Sequence, residues 1–250
     1  MKQELIERLS KNEIQLNDIL SEVELNSNCI VVIYTSHLNG LGSDESDFDV
    51  YVVFEDSNQM STISRKVAVV IKGIEIDIEY YVINEISEFL ESNRTDIGAT
   101  NFLSFLLRLM TGEIIYNSFS NIVNFQKLVD VDRMEKMGIE TFWLSSLGIY
   151  DDALKMYNQS DYVSGIVLAR NALNYITMAI NIINKDYVFK QKWAYRLLKR
   201  TLGEDHEYVK KYLKFTLGEV SDPARTLEEL LFYIQTLTTK VRLWDGTSKI

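Results

Sequence analysis

The chain has 250 residues, 46% of them hydrophobic and 25% charged, a profile with room for one large or two modest domains and a sizeable core. Its 26 basic against 36 acidic side chains leave a formal charge of −10, which excludes the basic footprint by which proteins hold long nucleic acid but admits a nucleoside triphosphate arriving with Mg2+. The single cysteine, Cys29, has no intrachain partner, the N-terminus lacks a signal-peptide apolar core, and no apolar run reaches roughly 18 uninterrupted residues; the expected setting is the cytoplasm, with no membrane span.

From the N-terminus, Leu5, Ile6, Leu9, Ile14, Leu16, Ile19, Leu20 and Val23 recur at helical spacing and predict one amphipathic helix, or two short ones, over residues 3–25. The period then changes. Cys29 to Tyr34 is a β-branched run between Asn26-Ser27-Asn28 and the loop TSHLNGLGSDES, which reads as a buried strand, and Asp49 to Phe54 is a second strand after that loop. The segment RKVAVVIKGIEIDIEYYVI predicts a third and fourth strand meeting in a tight turn at Lys72-Gly73. From Asn84 onward the strand pattern stops, and helical spacing covers INEISEFLESN, ATNFLSFLLRLMTG and nearly everything after Ser120, including the apolar stripe Ile166, Ala169, Leu173, Ile176 and Ile180. The sole proline, Pro223, marks no linker, so the change of period alone places a boundary near residue 118. The expected fold is α+β: a sheet with flanking helices over residues 1–118, then a helical bundle over 119–250.

Side chains alternate along a strand, so Asp47 and Asp49 share one side, about 6.6 Å apart along the backbone, with Val50 and Val52 on the other. In the hairpin, Ile74, Ile76 and Ile78 make one face and Glu75, Asp77 and Glu79 the opposite one. If the two strands are neighbours, Asp77 or Glu79 completes a cluster of three acids. Such acids repel one another unless a counter-charge is present. Oxygen-only ligands suit Mg2+, and a pair of these ions about 3.5–4 Å apart suits in-line phosphoryl displacement. The plainer alternative makes Glu75, Asp77 and Glu79 the solvated face of an amphipathic hairpin.

The stretch TSHLNGLGSDESDFDVYVV resembles the signature of the DNA polymerase β-like nucleotidyltransferase superfamily: Ser36 and Ser46 stand ten residues apart with Gly40 between them, and Asp47 and Asp49 take the places of the two metal-binding acids. Asp77 in IEIDIEYY matches the third acid, RLMTGEIIYN is similar to the helix-glycine-strand exit of such domains, and Thr35 departs from the family's usual glycine. The resemblance implies that Ser36, Ser46 and the loop N–H groups bind the phosphates of ATP or another nucleoside triphosphate, and that Asp47, Asp49 and Asp77 (or Glu79) hold Mg2+. His37, within this loop, reads as a phosphate or solvent contact.

In the helical half, FKQKWAYRLLKR sets Lys192, Arg196 and Lys199 on one helix face and Trp193 and Leu197 on an adjacent one, a candidate anion contact beside the plainer reading of a solvated face. The whole arrangement resembles the antibiotic nucleotidyltransferases of the aminoglycoside and kanamycin type, in which a helical domain supplies basic residues to the triphosphate; Lys192 and, second, Arg170 carry that role over. The resemblance therefore implies transfer of AMP from ATP to a hydroxyl of a small molecule, a cationic one given the acidic cleft. Two alternatives share the site: an antitoxin-like enzyme that AMPylates a protein, and a nucleotide-binding regulator weakened in transfer by Thr35. Acceptor, nucleobase and oligomeric state stay open at this point.

Overall fold

A computed structural model of the chain describes residues 1–25, 28–43, 46–56, 58, 64–96, 98–119 and 129–246. The chain divides into two compact units, Met1–Ser92 with Phe105–Asp130, and Asn93–Ser104 with Val131–Ile250. The architecture is α+β, a mixed sheet in the first unit and helices in the second.

The N-terminal periodicity resolves into two short helices, α1 (Gln3–Lys11) and α2 (Leu16–Leu20). The strands β1 (Cys29–Tyr34), β2 (Phe48–Phe54), β3 (Lys66–Ile71) and β4 (Ile74–Val82) follow, then α3 (Ile83–Ser92) and α4 (Ala99–Thr111). A fifth strand, β5 (Glu113–Asn117), comes next, so strands do not end at Asn84 as periodicity alone predicted. Five residues at a sheet edge with partly exposed side chains show too little alternation to register as a strand, and the helix-glycine-strand resemblance was the better guide.

The sheet order is β3-β4-β2-β1-β5, with β2 and β4 parallel and every other pair antiparallel. The hairpin turns where predicted, with Lys72 and Gly73 both at positive φ (50° and 82°), the conformation of a two-residue primed turn. One face of the sheet is the core: Val31 and Ile33 of β1, Val50 and Val52 of β2, and Ile76 and Ile78 of β4 pack with Leu5, Leu9, Ile14 and Ile19 of the first two helices. Period-2 alternation then sends Tyr34, Asp49, Tyr51, Asp77, Glu79 and Tyr81 to the opposite face, where α4 lies: the Phe105 ring stacks on Tyr81 at 3.6 Å and tilts against Tyr51 at 5.3 Å. Burial of the isoleucines thus fixes where the acids point.

The second unit contains α5 (Val131–Asn158), α6 (Tyr162–Ile183), α7 (Ala194–Leu202), α8 (Glu207–Leu217) and α9 (Pro223–Arg242). Predicted helix on residues 120–128 lies outside the described residues. Asp161 caps α6 through Ser164 N–H, and Asp222 caps α9 with Pro223 in its first turn, a position where a missing N–H loses nothing. The stripe Ile166, Ala169, Leu173, Ile176 and Ile180 is buried as α6 packs between α5 and α9. That helix is long and apolar enough to cross a bilayer, but 67% of its apolar window is buried within the protein, as a bundle core requires.

Candidate functional site

The chain leaves β1 through fully buried Thr35 and makes one 3-10 turn, Ser36–Asn39, closed by Gly40. The loop is tied to itself: Ser36 Oγ donates to Ser46 Oγ at 3.0 Å, Ser43 N–H donates to Ser46 Oγ at 2.9 Å, and His37 Nε2 donates to the Ser43 carbonyl at 2.9 Å. Asp44 and Glu45 of the predicted loop lie outside the described residues. From α1, buried Arg8 donates to the Ser46 carbonyl at 2.8 Å, which anchors the loop just before β2. The structure thus brings Ser36 and Ser46 into contact. Thr35 has ordinary extended torsions (φ −143°, ψ 150°), so nothing in its backbone demands the family's glycine, and its hydroxyl is buried without a hydrogen-bond partner.

Asp47 is exposed immediately before β2, and Asp49 is buried within it. The parallel pairing sets Asp49 directly beside Asp77 and Tyr51 beside Glu79. Asp77 is therefore the register partner of the motif's second acid, with Glu79 one pleat farther along, where its carboxylate accepts the Tyr81 hydroxyl at 2.7 Å.

The expected acid-only cluster is not what these strands present. Arg108 of α4 reaches Asp49 Oδ1 at 2.7 Å and also donates to the Tyr51 hydroxyl, with its guanidinium carbon 5.2 Å from the Tyr34 ring centre. Lys66 of β3 places Nζ 2.8 Å from Asp77 Oδ2 and 3.6 Å from Glu79 Oε1. Carboxylates on a half-covered face need counter-charges, and this chain supplies them internally. Burial works against the charge on Arg108, but Tyr51 and Asp49 outweigh it and hold its pKa above the ordinary value. Its hydrogen bond to Asp77 raises Lys66 likewise, and burial, reinforced by Asp49, raises Tyr51 and pushes Tyr34 up to about 12.

Gly112 explains how Arg108 arrives there. A Cβ at this position would lie 2.6 Å from Val32 Cγ1 and 2.8 Å from the Ile33 carbonyl oxygen, so only glycine lets the end of α4 close onto β1. Sequence reasoning passed over Arg108, although a signal existed: it is the one charged residue in the apolar helix ATNFLSFLLRLMT, and a lone charge on such a helix requires a partner.

A hard divalent cation is matched by the donor chemistry of Asp47, Asp49 and Asp77, which is carboxylate oxygen only. Among the described residues, no group of three His, Cys, Asp or Glu side chains is arranged to hold a metal ion; Asp49 and Asp77 each carry a side-chain cation instead.

The two basic candidates belong to the second unit. Arg170 donates to the Phe215 carbonyl at 2.8 Å and the Gly218 carbonyl at 3.3 Å, satisfying acceptors at the end of α8. Lys192 sits in a 3-10 turn, Gln191–Trp193, ahead of α7 rather than on the predicted helix face; it and Arg196 both lie over the Trp193 ring, at 5.1 and 5.3 Å. Lys199 pairs with Glu204 at 2.8 Å.

No family model matches the chain, and no curated protein matches it. Among solved structures, it is similar to a nucleotidyltransferase-like protein from Exiguobacterium sibiricum 255-15, at 13% identity and a TM-score of 0.49, over 92% of this chain and 75% of that one. A likeness at this level assigns neither family nor activity.

Proposed function

We propose that the chain is a cytoplasmic nucleotidyltransferase that moves a nucleoside monophosphate, AMP from ATP, onto a hydroxyl of a small cationic molecule of the aminoglycoside type, and releases pyrophosphate. The observation that carries this reading is register: Asp49 and Asp77 are direct partners on parallel strands, and the serine loop feeds the chain into the first of them. In that role Ser36, Ser46 and the loop N–H groups hold phosphate oxygens. Asp47, Asp49 and Asp77 would hold Mg2+, which neutralises phosphate charge and favours in-line displacement. The acceptor oxygen forms a bond to the α-phosphorus, the bond from that phosphorus to the bridging oxygen breaks, and the acceptor proton passes to the carboxylate of Asp77 or Glu79. Of the two basic residues that the resemblance carries over, Lys192 is preferred, because the Arg170 guanidinium is committed to two carbonyls.

The test is release of pyrophosphate from ATP labelled at the α-phosphate, across a panel of hydroxyl acceptors and a cell lysate. Label on a small cationic acceptor supports the reading, whereas label on a protein band transfers the acceptor role to a protein. Turnover that survives replacement of both Asp47 and Asp49 by Asn would sink the mechanism. A nucleotide-binding regulator is the second reading, supported by Thr35 and by the side-chain cations on Asp49 and Asp77. It requires calorimetric binding of ATP with Mg2+ but no pyrophosphate release with any acceptor.

A further inference from the structure

The helical unit holds an open cavity of about 660 Å3 between α5, the residue Lys185 just past α6, and the end of α9. Two of the chain's three tryptophans, Trp143 on α5 and Trp244 just past α9, stand in its wall with Ile139 and Val241. The Trp143 indole N–H already donates to the Thr238 carbonyl at 3.2 Å, so the ring is held in place and has only its π face left to offer a guest. The charged lining leans the same way. Among the described residues four acidic side chains line the cavity against three basic ones, and one of the basic groups, Lys185, is spent: its ammonium lies 2.7 Å from both oxygens of Glu135, a carboxylate 7% exposed that also accepts the Tyr187 hydroxyl at 2.9 Å. Burial, then Glu135 and Asp132, hold the Tyr187 hydroxyl above its ordinary pKa, which marks a negative field where those two acids line the cavity.

We infer that this cavity binds a small organic ammonium ion, whose charge rests against the indole rings of Trp143 and Trp244 and the carboxylates of Asp132 and Glu140, and whose apolar part covers Ile139 and Val241. Its volume falls in the range of roughly 300–1,000 Å3 usual for small-molecule sites. An anion is disfavoured, because the Trp143 N–H is occupied and Lys185 is held by Glu135. A bare metal ion is the wrong occupant, since among the described residues no group of three ligating side chains is arranged for one, whereas an organic cation is recognised by aromatic faces with a carboxylate nearby. The cavity lies wholly within the second unit, and its binding of a cation does not depend on nucleotidyl transfer by the first.

The experiment follows tryptophan fluorescence of the full chain, in a Trp193→Phe background that leaves only the two cavity indoles, during titration with phenethylammonium and with benzyltrimethylammonium. Phenethyl alcohol and phenylacetate present the same ring with no charge and with the opposite charge. Both cations should change the emission saturably with Kd below about 1 mM, the alcohol should bind at least about tenfold more weakly, and phenylacetate more weakly still. Trp244→Leu should raise the Kd of both cations about tenfold and Glu140→Gln about threefold, and the rise in Tm that each cation produces should shrink in the same order. Trp244 lies beyond the last helix, and Glu140→Gln removes only a charge, so the second variant carries the measurement should the first prove unstable. Equal affinity for the cations and the alcohol would make the cavity an apolar site indifferent to charge and overturn the assignment, as would tighter binding of phenylacetate. Absence of a saturable response to either cation up to about 10 mM would leave a water-filled cleft and overturn it as well.

Discussion

Asp49 and Asp77 are neighbours across one parallel strand pair, yet their ion pairs lie in different surroundings. The Asp49–Arg108 side chains are 10% and 12% exposed, under α4, whereas those of Asp77 and Lys66 are 18% and 55% exposed, toward the sheet edge. The same pairing of charges therefore has two consequences. In the covered position, water cannot replace a lost partner, so the pair behaves as a structural unit; at the edge, water can, and the pair is adjustable.

The sharpest way to break this comparison is Arg108→Met, which takes the cation away from a buried carboxylate and is expected to reduce stability by about 3–5 kcal/mol in urea denaturation. Adding Asp49→Asn in the same chain should recover much of that loss, because the buried negative charge is then removed as well. A loss in Arg108→Met no larger than that of Lys66→Met would show that burial does not distinguish the two pairs.

Alkaline pH probes the covered side independently. A tyrosine whose folded pKa is raised contributes stability that is present below its unfolded pKa and is lost as pH rises toward the folded value, since the unfolded chain releases its proton first. With Tyr34 pushed up to about 12 from 10, by burial first and Asp49 among the lesser causes, this residue alone should account for a loss of about 2–3 kcal/mol between pH 10 and 12. Tyr34→Phe should flatten that part of the stability profile; an unchanged slope would assign it to the other buried tyrosines.

Gly112→Ala tests how Arg108 is delivered. Its Cβ meets the β1 backbone and Val32, so α4 must shift outward, with an expected loss of about 1–3 kcal/mol and a smaller Asp49–Arg108 coupling in a double-mutant cycle. Coupling of wild-type size would mean that Arg108 finds Asp49 without the close approach.

Elements whose signal is local were legible in the sequence. β1, the Lys72-Gly73 hairpin, α3 and α4 follow from period and turn chemistry, and the isoleucines of β4 oriented Asp77 before any strand partner was known. What escaped depends on pairing across the chain. Whether β4 lies beside β2, and with Asp49 opposite Asp77 rather than Glu79, is set by the sheet as a whole. Arg108 meets its acid across 59 residues, which no spacing rule reaches, whereas Lys66 follows from the two-residue hairpin, whose register sets it opposite Glu79 and next to Asp77. The acids were visible as a cluster; the counter-charge on Asp49 was not.

The smallest expected effect on stability falls on Asp77. Repulsion among clustered acids would by itself let Asp77→Asn fold well, but the structure gives a different reason. Asp77 is paired with a half-exposed lysine, so its loss removes a solvent-screened ion pair and frees Lys66 to turn to water or to Glu79 at 3.6 Å. The expected change is under about 1 kcal/mol, well below that of Arg108→Met. Transfer, by contrast, should be abolished, because Asn neither accepts the acceptor proton nor offers a charged ligand beside Asp49. Glu79→Gln supplies the counter-measurement. Its carboxylate lies next to Tyr51 and is bonded to the Tyr81 hydroxyl, so turnover should survive in it. If Glu79→Gln is inactive while Asp77→Asn turns over normally, the functional acid is one pleat farther along β4, and Lys66, which touches both carboxylates, remains its counter-ion.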